Sequence, residues 1–335
     1  MSYWYNNLSA PHNDIVVSTR IRLARNINGM PFPSKMTPQQ FKILNKMVKD
    51  AISKSEDPFV KTLKYIDMKD VPVYECYAMV ERHIISRKFA SNYENRSIII
   101  SDDESVCIMI GEEDHIRIQV LLAGLQIEAA YKIADRIDSI LCQSLDIAFD
   151  NRIGFLTECP TNVGTGLRAS VMMHLPLTQS YGAINEITDS LSKIGFTVRG
   201  MYGEGTKALA SLYQVSNQLT LGISEQEAID GLNTVAMRLI TKEENYRKQT
   251  NAIKLEDRCM RSFGILKNAR IISSNEAMSR LSDLQLAMAM GIIDLNVWPI
   301  SFIIECQPYM QMRKTGGSTP EERDIMRANE LRKLL

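Results

Sequence analysis

Ser97-Ile98-Ile99-Ile100-Ser101-Asp102-Asp103-Glu104-Ser105-Val106-Cys107-Ile108-Met109-Ile110 contains two β-rich runs joined by a polar turn at Asp102-Asp103-Glu104-Ser105. That pattern is an antiparallel hairpin. Residues 116–121 add a third strand-like run just downstream. Working outward, Thr37-Pro38-Gln39-Gln40 combines an N-cap, a proline at the first helical position and a capping-box glutamine. Phe41, Leu44, Val48 and Ile52 continue on one face, so a helix is expected over 38–54. The period of Ile127, Ala130, Ile133, Ile137 and Leu141 predicts a second helix to about residue 145. Further strands are expected at 153–157, 170–174, 196–202 and 212–221, with a helix over 179–194 closed by Gly195. The expected class is therefore α+β, with a mostly antiparallel sheet flanked by helices. After Gly222 the texture is nearly all helical, with capping-box starts at Ser224 and Ser273 and a short connector at 315–319 before a last helix. No internal repeat or low-complexity tract interrupts this order.

The chain has 335 residues, enough for two domains, and its 39 basic residues balance its 39 acidic ones. The zero net charge argues against a nucleic-acid binder working by phosphate attraction. A hydrophobic share of 45% excludes disorder as the main state. No apolar stretch reaches the ~20 residues that span a bilayer, and the opening residues lack a charged region, so neither a membrane segment nor a signal peptide is expected. The six cysteines are scattered with no C-x-x-C pair, which fits a reducing, cytoplasmic setting and predicts no transition-metal site. His12, His83, His115 and His174 are equally dispersed.

There is no P-loop. Gly164-Thr165-Gly166-Leu167-Arg168-Ala169 matches G-x-G-x-x-A, but a β-like run follows it where a dinucleotide-binding turn requires a helix. Arg20, Arg22, Arg117, Arg168 and Arg199 all fall in segments that read as strand or loop. Guanidinium groups suit bidentate phosphate recognition, and Arg20-x-Arg22 on a strand points two of them to one face. Taken singly, each also reads as a solvated surface arginine. Carboxylates occur in Glu112-Glu113-Asp114-His115 and in the glycine-flanked Glu204, each of which also reads as a solvated turn. Cys159 before Pro160 reads equally as a small buried hydrophobe.

Four segments change these odds together: 17–26, 111–117, 159–169 and 199–205 occur in the order seen in the ATP:guanidino phosphotransferases, the phosphagen kinase family, which the chain resembles over about 14–222. Within that family, residues 213–222 and the layout resemble the bacterial protein arginine kinase branch. Where kinases of small guanidino compounds carry a helical domain before the first arginine motif, this chain has a helical C-terminal extension. The extension contains Arg323-Asp324-Ile325-Met326-Arg327-Ala328, which is similar to the branch's phosphoarginine-receptor motif. Gly111 departs from the family's asparagine before the two glutamates.

The resemblance implies a catalytic domain over 1–250 and a helical dimerisation and phosphoarginine-receptor domain over 251–335. It implies transfer of the ATP γ-phosphate to protein arginines with Mg²⁺, Glu113 as base, Glu204 orienting the guanidinium and Cys159 polarising it. Arg20, Arg22, Arg117, Arg168 and Arg199, with Ser18 and His83, would bind ATP, and Arg323, Asp324 and Arg327 would bind phosphoarginine. The implied partners are protein substrates, a zinc-containing activator, a Clp-type ATPase or protease, and a second copy of the chain. A kinase of free arginine or another small guanidino compound, or a non-catalytic phosphoarginine-binding adaptor, are the alternatives.

Overall fold

The computed structural model describes residues 3–7, 9–200, 209–296, 298–315 and 319–335. Its strands are β1 (Val16–Arg25), β2 (Lys64–Asp67), β3 (Ser97–Ile100), β4 (Val106–Ile110), β5 (Ile116–Ala123), β6 (Phe149–Asp150), β7 (Gly154–Phe155), β8 (Leu167–His174), β9 (Phe196–Gly200) and β10 (Leu212–Asn217). Eight of them form one sheet in the order β2-β3-β4-β5-β1-β8-β10-β9, with every neighbouring pair antiparallel. The short β6–β7 hairpin stands apart.

The helices are α1 (Pro38–Ser53), α2 (Val73–Glu81), α3 (Arg87–Ala90), α4 (Ile127–Ser144), α5 (Pro176–Ser180), α6 (Ile184–Ser192), α7 (Glu225–Gln249), α8 (Ala252–Asn268), α9 (Ser274–Ala289), α10 (Ser301–Glu305), α11 (Pro308–Thr315) and α12 (Pro320–Leu334). The capping box read at Thr37 and Gln40 is formed, as is the one at Ser224. Three sequence expectations change. The helix over 179–194 is two helices, α5 and α6, because Gly182 takes φ +72° between them. The strand over 153–157 shrinks to β7, and that over 212–221 ends at Asn217, whose side chain turns to bond the backbone of Leu167 and Leu219.

The period-two alternation of the strands decides where the core lies. Ile21, Leu23, Ile108, Ile118, Val171 and Val215 project to one face, where α1, α4, α6 and α7 bury them in the largest core. The opposite face is covered only at its margins. Ile98, Ile100, Cys107 and Met109 pack under α2 and α3, while Met172 and Leu212 pack against the C-terminal helices. Between those margins the central strands carry arginines, serines and glutamines in place of apolar residues. Among the described residues no helix is long and apolar enough to cross a membrane.

Candidate active site

Register brings all five arginines read from sequence onto this uncovered face. Arg22 on β1 lies opposite Arg168 on β8, Arg117 on β5 lies opposite Ala24, and Arg20 follows Arg22 two residues away. Arg199 on β9 lies opposite Gln214 on β10 and joins the same face. Arg20, Arg22, Arg168, Arg199, Gln214 and Ser216 line a pocket of about 260 Å³. Arg22 and Arg168 also line a second cavity, of about 220 Å³, with Arg117, Glu113, Cys159 and Asn162. The two compartments therefore meet along one pair of cross-strand arginines.

Among the described residues no carboxylate is within ion-pairing distance of Arg20 or Arg22. Burial, with Arg117 and Arg168 adding repulsion, pushes the Arg20 guanidinium down to about 10. Arg22 is lowered in the same way, by burial first and then by Arg20, Arg117 and Arg168, with Glu112 opposing. Arg168 is lowered by burial, Arg199 and Arg117, with Cys159 opposing. Guanidiniums stay protonated, so this crowding concentrates positive charge on one face, the setting for a polyanion.

The acidic segment divides by role. Glu112 is buried, pairs with Arg117 and accepts a hydrogen bond from the Ser86 hydroxyl. Asp114 accepts from Asn26 Nδ2 at 2.8 Å and from the Glu158 backbone N–H at 2.8 Å. His115 Nδ1 accepts from the Ile27 backbone N–H at 2.9 Å, and its own backbone N–H donates to Asn26 Oδ1 at 2.8 Å. Glu113 alone of these faces the cavity, 3.2 Å from an Arg117 nitrogen. The three acids are thus not one solvated cluster: two brace the turn and one is presented. Gly111 closes the turn with φ +82°, its N–H donating to the His115 carbonyl at 2.9 Å. Asparagine tolerates that backbone region, but a Cβ here would lie 2.8 Å from the Phe41 ring.

Cys159 is half-buried, not a core residue, and its Sγ lies 3.1 Å from Thr161 Oγ1. The strand that follows Gly164 and Gly166 is β8, so the glycine pattern makes a tight turn with no helix behind it. Arg25, third in the same arginine-rich strand, is structural: fully buried, it pairs with Asp138 at 2.7 Å and stacks on Phe155. Ser18 and His83 line a different, mainly apolar cleft of about 40 Å³ with Tyr5, Leu212 and Ile300. The His83 ring is pushed down to about 3 by burial and by Arg20, so it is neutral, and its backbone sits at φ +64°. Glu204 lies outside the described residues.

Arg323, Asp324 and Arg327, the residues expected to bind phosphoarginine, lie on α12. Arg327 is fully buried, donating to the carbonyls of Cys306 at 2.6 Å and Ile272 at 2.8 Å and pairing with Asp324. Helical spacing placed the two arginines on one side of α12, but packing turned one inward. Gln214, Ser216 and Asn162 line the cavities without having been singled out from the sequence; for the first two, the polar period-two alternation of β10 was the available signal.

A floor of crowded arginines touching a compartment that holds a carboxylate and a thiol suits a polyphosphate beside a cationic group. Residues 43–246 match the family model described as ATP:guanido phosphotransferase, C-terminal catalytic domain, and residues 252–335 match the Protein-arginine kinase McsB C-terminal domain. The protein-arginine kinase of Caldanaerobacter subterraneus subsp. tengcongensis is 42% identical over 94% of this chain and 95% of its own length. That of Bacillus subtilis is 40% identical over 100% and 93%. Among solved structures, the duplicated taurocyamine kinase from Schistosoma mansoni with bound transition state analog components superposes with a TM-score of 0.62 at 26% identity, over 78% of this chain and 38% of that one. Lombricine kinase shares the fold, with a TM-score of 0.63 at 24% identity over 72% and 70%. The chain belongs to the protein-arginine kinases, within the ATP:guanido phosphotransferase family.

Proposed function

We propose that the chain transfers the γ-phosphoryl group of ATP to a guanidinium nitrogen of arginine side chains in proteins. The observation that carries this reading is the shared wall of Arg22 and Arg168 between the arginine pocket and the cavity of Glu113 and Cys159. The acceptor's difficulty is basicity, since a guanidinium stays protonated far above neutral pH and is then a poor nucleophile. Glu113 accepts a proton from the attacking nitrogen as the N–P bond forms. The bond from Pγ to the bridging oxygen breaks and its electrons stay on ADP. Arg20, Arg22, Arg117, Arg168 and Arg199 hold the phosphate oxygens in line, Cys159 lies against the guanidinium, and Glu204 orients its other nitrogens. With so little covalent work for the protein, alignment dominates the rate. Mg²⁺ bound to the nucleotide phosphates would supply further charge compensation beside these arginines.

The finer parts of the reading rest on the family resemblance. They are a catalytic unit over 1–250 and a helical unit over 251–335 that dimerises, ATP contacts from Ser18 and His83, and cytoplasmic action with a zinc-containing activator. Phosphoarginine would mark proteins for a Clp-type protease under stress. At α12, Arg323 and Asp324 would meet phosphoarginine as an allosteric ligand while Arg327 holds Asp324 in place. The test is mass spectrometry, under non-acidic handling, of an unfolded protein incubated with the chain and Mg-ATP, beside free arginine. Phosphoarginine in the protein supports the reading; transfer to free arginine alone makes the chain a small-guanidino kinase, and no ATP turnover makes it an adaptor.

A further inference from the structure

A third concavity, of about 380 Å³, adjoins the acceptor cavity and shares Glu113 with it. One side is apolar, built from Pro33, Met36, Pro38 and Phe41 on the segment entering α1, and the other carries Glu113 and Glu158. Its two cations are differently engaged. Arg96 lies in the floor and spends its guanidinium on the carbonyls of Gly111, Lys88 and Phe89, at 2.8, 2.7 and 2.9 Å, while Lys88 is exposed. Glu112, also in the lining, is neutralised by Arg117. The Glu158 carboxylate has no cationic partner within 4.0 Å among the described residues, although its backbone N–H is held by Asp114 at 2.8 Å. A carboxylate on an anchored backbone, half-buried and without a counter-ion, stands one residue before Cys159 and beside Glu113.

We propose that this groove binds the polypeptide flanking the target arginine and that Glu158 selects a basic residue next to it. The inference rests on the proposed transfer to protein arginines and names the substrate sequence that the site prefers. Free arginine fills the acceptor cavity and leaves the groove empty. A polypeptide whose arginine side chain reaches Glu113 must leave through a neighbouring opening, and the groove is open there. Its apolar side takes the aliphatic stem of a flanking lysine or arginine while the charged head meets Glu158, the amphipathic fit such side chains favour. Glu158 is a specificity residue here and takes no part in the proton transfer.

The experiment is initial-rate kinetics with Mg-ATP on three soluble peptides of equal length, each with one arginine flanked on both sides by lysine, alanine or glutamate. Free arginine is run in parallel. With the wild-type chain the lysine-flanked peptide is expected to have a KM about two- to five-fold below the glutamate-flanked one at equal kcat, the range of an exposed ion pair. Added salt should shrink the difference. Glu158→Gln keeps the backbone bond to Asp114 and should bring the KM values together without changing kcat, and Glu158→Lys should reverse their order. KM ratios that are the same in wild type and Glu158→Gln overturn the subsite while leaving the protein-arginine reading intact. Turnover of free arginine with no phosphorylation of any peptide overturns both.

Discussion

At Arg20 and Arg22 the side chains that suit a phosphate binder also burden the fold. Neither has a carboxylate partner among the described residues, and both are held below their ordinary basicity by burial and by like charges. Arg20→Met is therefore expected to raise the Tm of the nucleotide-free protein, to reduce the thermal shift caused by Mg-ATP, and to weaken nucleotide binding about ten-fold or more, the worth of a charge-assisted hydrogen bond. Scanning calorimetry with nucleotide titration checks this, and an unaltered affinity would return Arg20 to the surface arginines. Glu113 has the opposite character, since removing its charge should leave ATP binding intact while turnover falls by ~10²–10⁴. Glu113→Gln with near-normal turnover would remove it from the mechanism.

At the scale of single elements, two places join local conformation to packing. The turn before β5 depends on Gly111, whose missing Cβ makes room for the Phe41 ring of α1. Gly111→Asn keeps an accessible backbone but forces that ring aside, at an expected cost of about 1–3 kcal/mol. The same substitution in a Phe41→Ala background should cost little, so a denaturation double-mutant cycle should show strong coupling. In α12, Arg327 satisfies two buried carbonyls that belong to other segments. Arg327→Ala leaves both unpaired and strands Asp324, and urea denaturation should show a loss of about 3 kcal/mol or more. A loss well under ~1 kcal/mol would mean that the guanidinium is free to serve a ligand.

The sheet and the C-terminal helices are joined across the whole molecule by His174 at the end of β8. Its Nε2 is 2.7 Å from the Ser282 hydroxyl of α9, and its Nδ1 is buried without a partner. Burial, reinforced by Arg247 and Arg258, pushes the ring down to about 3, while an unfolded imidazole protonates near 6.5. The unfolded chain binds this proton first, so the stabilising contribution is present above about pH 6.5 and is lost as pH falls toward the folded value. His174→Asn should lose less Tm than wild type between about pH 7.5 and about pH 5. Parallel Tm profiles for the two proteins would show that the ring does not titrate on unfolding.

Periodicity alone determined the antiparallel class, the capped helix α1 and the helical end of the chain, because alternation and caps are local properties. The ordered motifs carried the family and the residue types of the site. Cross-strand register was not local. Arg22 faces Arg168 only because β1 and β8, far apart in sequence, pair antiparallel, and that pairing makes one wall serve two compartments. Nor could spacing distinguish Glu113 from Glu112 and Asp114, or Arg22 from the structural Arg25, since each pair shares chemistry and differs in what surrounds it. Arg327 makes the same point: an i, i+4 pattern states which residues share a helix face, whereas the neighbours packed against that face decide whether a guanidinium meets solvent or the carbonyls of the core.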